Sequence, residues 1–240
     1  PDECFSGWKE ADEDIGRGSE KNMKQPLSTL PIKRPADLLL TNGKILTLSP
    51  GSKPISEGAL AIVDGRIVAV GAKADVESFF EAAKTIDARG GLIMPGLVNA
   101  HTHAAMSLFR GLADDLPLKT WLENHIFPAE KRWVNEEFVY WGTLLSIAEM
   151  IRSGTTTFAD GYFFEEQAAL AVQQSGMRAF LGQGILDFST PDSPSPEETL
   201  KRFEAFIQTH SGSSLIHPTL FPHSVYTCSP DLLRRCRDFA

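Results

Sequence analysis

Long apolar runs are missing from this sequence. No stretch approaches the ~20 residues that a helix needs to span a bilayer, and no basic segment followed by an apolar one stands near its beginning, as in a secretory signal. Basic clusters are missing as well. With 23 Lys and Arg against 31 Asp and Glu the formal charge is −8, which argues against nucleic acid and anionic membrane as partners, because both would repel it. A small neutral or cationic ligand fits better. Cysteine is scarce: Cys4, Cys228 and Cys236 are odd in number and form no close metal-type pair. That suits the reduced thiols of a cytoplasmic protein rather than a disulfide framework. No short-period repeat or low-complexity tract occurs; "STPDSPSPEE" is a brief Pro/Ser loop. What remains is an ordinary globular composition, 42% apolar over 240 residues, enough for one large domain or two smaller ones.

Three regions differ in character. Residues 1–22 carry seven acids against three bases, show no apolar periodicity and precede the first methionine, Met23. We expect them to be a disordered acidic tail or, in the preferred reading, upstream leader sequence before a start at Met23. Residues 23–93 contain short β-like runs, "ADLLLTNGKILTLSP", "GALAIVDGRIVAVG" and "TIDARGGLIMPG". Asn42-Gly43 and Asp64-Gly65 separate apolar runs and supply the positive φ of tight hairpin turns, so the expectation is a small antiparallel β unit. "KADVESFFEAAK", residues 73–84, interrupts it with the amphipathic pattern of one short helix.

From residue 94 to 240 strand-like runs alternate with helical patterns. The expected strands are Leu97–His103, Thr155–Asp160, Arg178–Ile185 and Leu215–Pro222; the expected helices are Glu136–Ser153, Glu165–Ser175 and Pro196–His210, with a last one in "SPDLLRRCRDFA". Gly154, Gly176 and Gly212 follow helix ends, where a left-handed cap is needed. Such alternation implies parallel strands with helices packed outside. Four strand-helix units make either a small open sheet or half of a larger barrel.

"MPGLVNAHTHAAMSLFRG", Met94 to Gly111, ends the first of these strands with two histidines one residue apart. Positions i and i+2 of a strand face the same way, so His101 and His103 project together while Thr102 points away. Two corners of a metal site then exist, with room for a third side chain and a water, the arrangement of a catalytic zinc. A pair of solvated loop histidines satisfies the same three-residue pattern.

The flanking residues add a further reading. "GLIMPGLVNAHTH", then "SGTTTFAD" about fifty residues later, then "GMRAFLGQGI" and "PHSVYTCS" resemble the amidohydrolase superfamily, and within it the 5′-methylthioadenosine/S-adenosylhomocysteine deaminases and their aminohydrolase and chlorohydrolase relatives. The resemblance runs from about Ala36 to the last residue. It implies an α/β fold: the first four strand-helix units of a TIM (β/α)8 barrel in a metal-dependent hydrolase, preceded by part of a small β-sandwich, with the site at the C-terminal strand ends. It implies His101 and His103 as ligands of one divalent metal, most often zinc, Glu130 as acceptor for ribose hydroxyls, and His223 as a contact to the bound nucleoside. A zinc-bound hydroxide would attack C6 of the adenine ring and release ammonia.

The family's other ligands, a histidine and an aspartate, and its proton-transfer glutamate and histidine lie on later strands, so none is expected in this chain; they belong beyond Ala240. We therefore expect this chain to be a fragment, inactive and weakly zinc-binding alone, with a small nucleoside as partner of the parent enzyme and homo-oligomerisation compatible with it. Trp121 and Gln183 are candidate pocket-wall residues. Gln183 stands where relatives that accept S-adenosylhomocysteine can place an arginine, and an amide lacks that charged fork, which favours 5′-methylthioadenosine or adenosine. Cys228 is expected as a small buried pocket residue and Asp160 as a possible support behind the ligands. His125, His210 and His217 receive structural readings, with His210 partly protonated at its helix end. Alternatives are a guanine deaminase, a triazine chlorohydrolase, or a non-catalytic dihydropyrimidinase-like scaffold; the last usually loses metal ligands, which His101 and His103 argue against.

Overall fold

In the computed structural model, residues 33–239 are described; the expectation for residues 1–22 falls outside them. The chain divides into two compact units between Met94 and Pro95.

The first unit is a mixed sheet rather than the expected antiparallel one. Strands β1 (Arg34–Ile45), β2 (Ile55–Val63) and β3 (Arg66–Ala72) are antiparallel neighbours, but β4 (Phe80–Asp87) and the short β5 (Leu92–Ile93) both run parallel to β1. Asp64 and Gly65, at φ 49° and 70°, make the two-residue turn between β2 and β3. Asn42-Gly43 does not turn the chain. Asn42 takes a positive φ of 57° inside β1, where the register to β2 shifts. Its carbonyl accepts from the Gly90 amide at 2.7 Å, and the Thr41 carbonyl accepts from Ala88 at 2.8 Å. The positive φ the sequence offered is used for a bulge that a later loop satisfies. The helix expected over 73–84 stops at Phe79: α1 (Lys73–Phe79) buries only Val76, and from Phe80 the chain gains a full backbone ladder against β1.

The second unit is a parallel four-stranded sheet in the order β6-β7-β8-β9: β6 (Leu97–Thr102), β7 (Thr155–Tyr162), β8 (Arg178–Ile185) and β9 (Ile216–Pro222). Helices α4 (Glu136–Arg152), α5 (Glu165–Ser175), α6 (Pro196–His210) and α7 (Pro230–Phe239) alternate with the strands. The Asn135 side chain caps α4 by accepting from Phe138 N at 2.9 Å, and Ser195 caps α6 with Pro196 in its first turn. Gly154 and Gly176 carry the left-handed φ, 85° and 72°, that follows α4 and α5.

One face of this sheet is the core: Phe158, Ala179, Leu181 and Ile216 pack with Val139 and Ile147 of α4, Ala168 and Val172 of α5, and Phe203 and Phe206 of α6. Each of the larger of these side chains, Val, Leu, Ile and Phe, contributes about 1.5–3 kcal/mol when fully buried. The opposite face is open, with Val98 67% and Phe180 44% exposed; the Phe180 ring stacks on His217 at 4.9 Å. Between β6 and α4 a 3-10 turn (Ala104–Phe109) is followed by α2 (Leu118–Trp121), a π turn (Leu122–Ile126) and α3 (Phe127–Trp133). Gly142 lets α4 approach that 3-10 turn: a Cβ there would meet the Ala105 carbonyl oxygen at 2.5 Å. Among the described residues no helix is long and apolar enough to cross a membrane.

Candidate functional site

The strand pairing brings Thr102 level with Asp160, Tyr162 with Gln183, and Ile185 with Pro222. The C-terminal ends of all four strands thus lie along one rim. His101 lies at the end of β6 and His103 directly after it, one residue beyond the strand's end at Thr102, their ring centroids 5.2 Å apart and edge-on. His103 Nδ1 lies 2.6 Å from the Gly161 carbonyl oxygen. A carbonyl only accepts, so Nδ1 carries a hydrogen, and in the neutral ring Nε2 is the nitrogen with the lone pair. That is the tautomer a metal-ligating histidine needs, held by the backbone acceptor such ligands usually have.

Asp160, buried at the end of β7, accepts at Oδ1 from Thr102 Oγ1 and from the Ala104 amide, each at 2.7 Å, while Oδ2 has no partner among the described residues. Burial raises its pKa against the Thr102 and Ala104 hydrogen bonds, which lower it.

A cavity of about 90 Å³ opens beside the pair, walled by His103, Trp121, Glu130, Tyr162, Phe221 and His223 among others. Four sequence-predicted residues, His103, Trp121, Glu130 and His223, therefore meet at one place; His101 borders the adjoining concavity with His103 and Asp160. Glu130 sits in the first turn of α3, which the π turn leads into, and such π turns are frequent at functional sites. It is 8% exposed, and its Oε1 accepts from the Tyr162 hydroxyl at 2.9 Å. Burial raises the Glu130 pKa, with the Tyr162 hydrogen bond and the His103 charge acting the other way. His223 follows β9, with Nδ1 2.8 Å from Thr227 Oγ1; burial, then the charge of His103, lowers its pKa.

Other expectations are corrected. Gln183 is not at the wall of this cavity: it is fully buried, and its amide nitrogen donates to Asp192 Oδ2 at 2.9 Å. Cys228 is buried but packs with Ile185, Leu232 and Cys236 away from the cavity lining, its thiol donating to the Ile185 carbonyl at 3.2 Å. His210 packs on Phe206, and burial lowers its pKa, opposing the helix-end effect. His125 is exposed in the π turn, and His217 lies on the open sheet face.

Tyr162 lies two residues past the strand end that the sequence pattern sets at Asp160. Its signal is the alternation Phe158, Asp160, Tyr162, which extends one side of β7 by one more residue.

Does this donor set suit a metal? Two imidazoles, one with its free nitrogen fixed, suit zinc. Among the described residues no group of three or more His, Cys, Asp and Glu could hold an ion, so the pair finds no third ligand among them.

Behind the rim, Glu165 is fully buried at the start of α5 and accepts at Oε1 from the Tyr162 amide at 2.9 Å; among the described residues Oε2 has no partner. Burial, followed by the charge of Asp160, raises its pKa well above the ordinary value. The folded state therefore retains a proton that the unfolded chain loses above pH ~4.3, and stability falls as pH rises from there towards the folded pKa. Glu165→Gln keeps the acceptor and removes the titration. The variant is expected to melt a few degrees above wild type at pH 7 (~2–4 °C per kcal/mol) and to lose that advantage near pH 4, read by calorimetry of the full-length protein at both pH values.

Comparison with known proteins adds the following. A sequence model of the amidohydrolase family matches residues 92–240. The chain is 52% identical over 205 residues to the 5-methylthioadenosine/S-adenosylhomocysteine deaminase of Syntrophobacter fumaroxidans, covering 85% of this chain and 47% of that protein. It is 44% identical to the 5′-deoxyadenosine deaminase of Methanosarcina mazei, covering 85% and 46%. Among solved structures, an adenosine deaminase from Xanthomonas campestris with bound zinc superposes with a TM-score of 0.84 at 40% identity, over 87% of this chain and 47% of that one. The chain spans about half the length of the curated relatives it matches.

Proposed function

The chain belongs to the amidohydrolase family, and on that premise we propose that it is the N-terminal half of a metal-dependent aminohydrolase releasing ammonia from C6 of an adenine nucleoside. In this reading β6 to β9 are the first four strands of a (β/α)8 barrel, residues 94–240, and residues 23–93 are part of a composite β-sandwich domain. The exposed Val98 and Phe180 face supports it, because parallel sheets are ordinarily covered on both sides. The observation that carries the functional reading is the convergence of His103, Glu130 and His223 on one cavity at the strand ends.

Roles follow from the chemistry of each group. His101 and His103 would hold the metal, which when bound supplies the Lewis acidity that makes water a nucleophile at neutral pH. Glu130, with one oxygen already steadied by Tyr162, accepts hydrogen bonds from ribose hydroxyls. Trp121, Phe127 and Phe221 give the base an apolar, aromatic enclosure that excludes water. His223, kept towards its neutral form, offers the nucleoside a hydrogen bond without bringing a second positive charge beside the metal corner. No residue of this cavity is assigned to protonating the ring or the leaving amine.

Gln183, buried with its amide nitrogen on Asp192, makes no contact with this cavity, and the preference for 5′-methylthioadenosine or adenosine rests only on the lack of an arginine at that position. A second cavity of about 440 Å³ adjoins the first, sharing Glu130 and Phe127 and adding Lys131 and Ser189. A nucleoside with its hydroxyls on Glu130 and its base by His103 would extend its 5′ substituent there, and Lys131 would meet a carboxylate-bearing one. Lys131→Ala is expected to raise KM for S-adenosylhomocysteine about tenfold, the worth of ~1.4 kcal/mol, and to leave 5′-methylthioadenosine unchanged, in steady-state assays of the full-length protein.

The reading itself is tested by ammonia release from 5′-methylthioadenosine, adenosine, S-adenosylhomocysteine and guanine. Turnover of guanine alone would replace it with a guanine deaminase, and zinc binding without turnover of any of them would leave only the fold.

A further inference from the structure

We infer that Asp160 is the positioning residue of the histidine pair, and that the end of β7, Asp160-Gly161-Tyr162, fixes the spacing between the metal corner and the ribose carboxylate. The inference rests on the reading of His101 and His103 as ligands. His103 is held from three directions. Asp160 Oδ1 takes the Thr102 hydroxyl on one side of it and the Ala104 amide on the other, both at 2.7 Å. Ser146 Oγ donates to the Ala104 carbonyl at 2.7 Å, so that residue is fixed at both its donor and its acceptor. The imidazole itself donates to the Gly161 carbonyl at 2.6 Å, the residue next to Asp160.

One residue further on, the Tyr162 hydroxyl reaches Glu130 at 2.9 Å. Three consecutive residues of one strand end therefore hold the backbone around His103, its ring, and the carboxylate across the cavity. Because the strand is paired on both sides, to β6 and to β8, none of these contacts can drift independently of the others. Asp160 needs only an oxygen to do this, since both of its bound partners are donors. An asparagine offers that oxygen in the same place, whereas an alanine leaves the buried Ala104 amide without its acceptor and the Thr102 hydroxyl with only the longer contact to the Ala159 carbonyl at 3.2 Å.

The test is zinc affinity of the full-length protein, measured by competition with a chromophoric chelator. Asp160→Ala is expected to weaken zinc by about 10–100-fold, the usual cost of removing a group that orients a ligand. Asp160→Asn is expected to bind within about threefold of wild type, a rescue that loss of packing alone would not give. Thr102→Val removes one of the two donors with little change of volume; a loss of roughly three- to tenfold is expected, on the scale of ~1 kcal/mol for one hydrogen bond, and this variant reports on the inference should Asp160→Ala not fold. Wild-type zinc affinity in Asp160→Ala or in Thr102→Val overturns it, as does an equal loss in the alanine and asparagine variants. His103→Ala is the control: if it too binds zinc normally, the ligand reading has failed, whereas a loss confined to His103→Ala refutes the positioning role alone.

Discussion

Replacing His103 by alanine is expected to abolish zinc binding by the full-length protein and to lower kcat/KM by about 10³-fold or more. The magnitude follows from what the metal does. Polarising water into a nucleophile is worth several kcal/mol of barrier, and each 1.36 kcal/mol is tenfold in rate. His101→Ala is expected to match it, since His101 stands beside His103 on the same strand end, 5.2 Å away ring to ring. By contrast, alanine at His125, which is exposed in the π turn, or at His217, stacked on Phe180 below the rim, should leave zinc content and rate within about twofold, an allowance of under 0.5 kcal/mol typical of sites away from such features. Zinc content by elemental analysis beside ammonia release decides the matter. A His103→Ala enzyme that retains stoichiometric zinc would show that the pair is structural, and chelator treatment followed by zinc add-back separates loss of metal from loss of fold.

The histidine pair was legible because period two in a strand is a geometric fact that needs no tertiary context. The same holds for α5, α6 and β8, whose ends carry explicit punctuation: Ser195 and Pro196 before α6, and Gly176 between α5 and β8. What stayed hidden was whatever depends on a partner distant in sequence. Asn42-Gly43 offers the positive φ of a turn, but whether it turns or bulges is decided by the loop at Ala88–Gly91, which captures its backbone. Residues 80–84 read as the rest of a helix until β1 is there to pair with them. Gln183 lies in a strand whose last five residues are all buried, so alternation could not say which side faces the cavity and which the Asp192 loop. Tyr162 fell just past the expected strand end. The site's polar framework was consequently less legible than its histidines: the sequence suggested Asp160 only as a support, and nothing in it paired Tyr162 with Glu130.

That pair carries the second large effect. Glu130→Ala is expected to reduce kcat/KM for adenine nucleosides by about 10²–10⁴-fold, because two ribose hydroxyls would lose a carboxylate worth ~1.5–3 kcal/mol per hydrogen bond. Tyr162→Phe removes only the donor that steadies Oε1, so its effect should be near tenfold, about 1.4 kcal/mol, and fall on KM. Zinc content should be normal in both, since neither side chain bonds the His103 loop. The pH dependence has a definite sign. Burial raises the Glu130 pKa, so as pH falls the carboxylate is protonated earlier than an ordinary glutamate and loses acceptor capacity to its own proton. KM is therefore expected to rise towards acid, beginning above the normal carboxylate range, and Glu130→Gln should flatten that limb by fixing the uncharged form at every pH. Free adenine, which lacks the ribose, provides the internal control. If its turnover or inhibition constant changes in Glu130→Ala as much as that of the nucleosides, the carboxylate shapes the base pocket instead of reading the sugar, and the hydroxyl-acceptor role is wrong. If only the ribosylated compounds respond, the cavity between His103 and Glu130 has the orientation assigned to it, base towards the histidines and sugar towards α3.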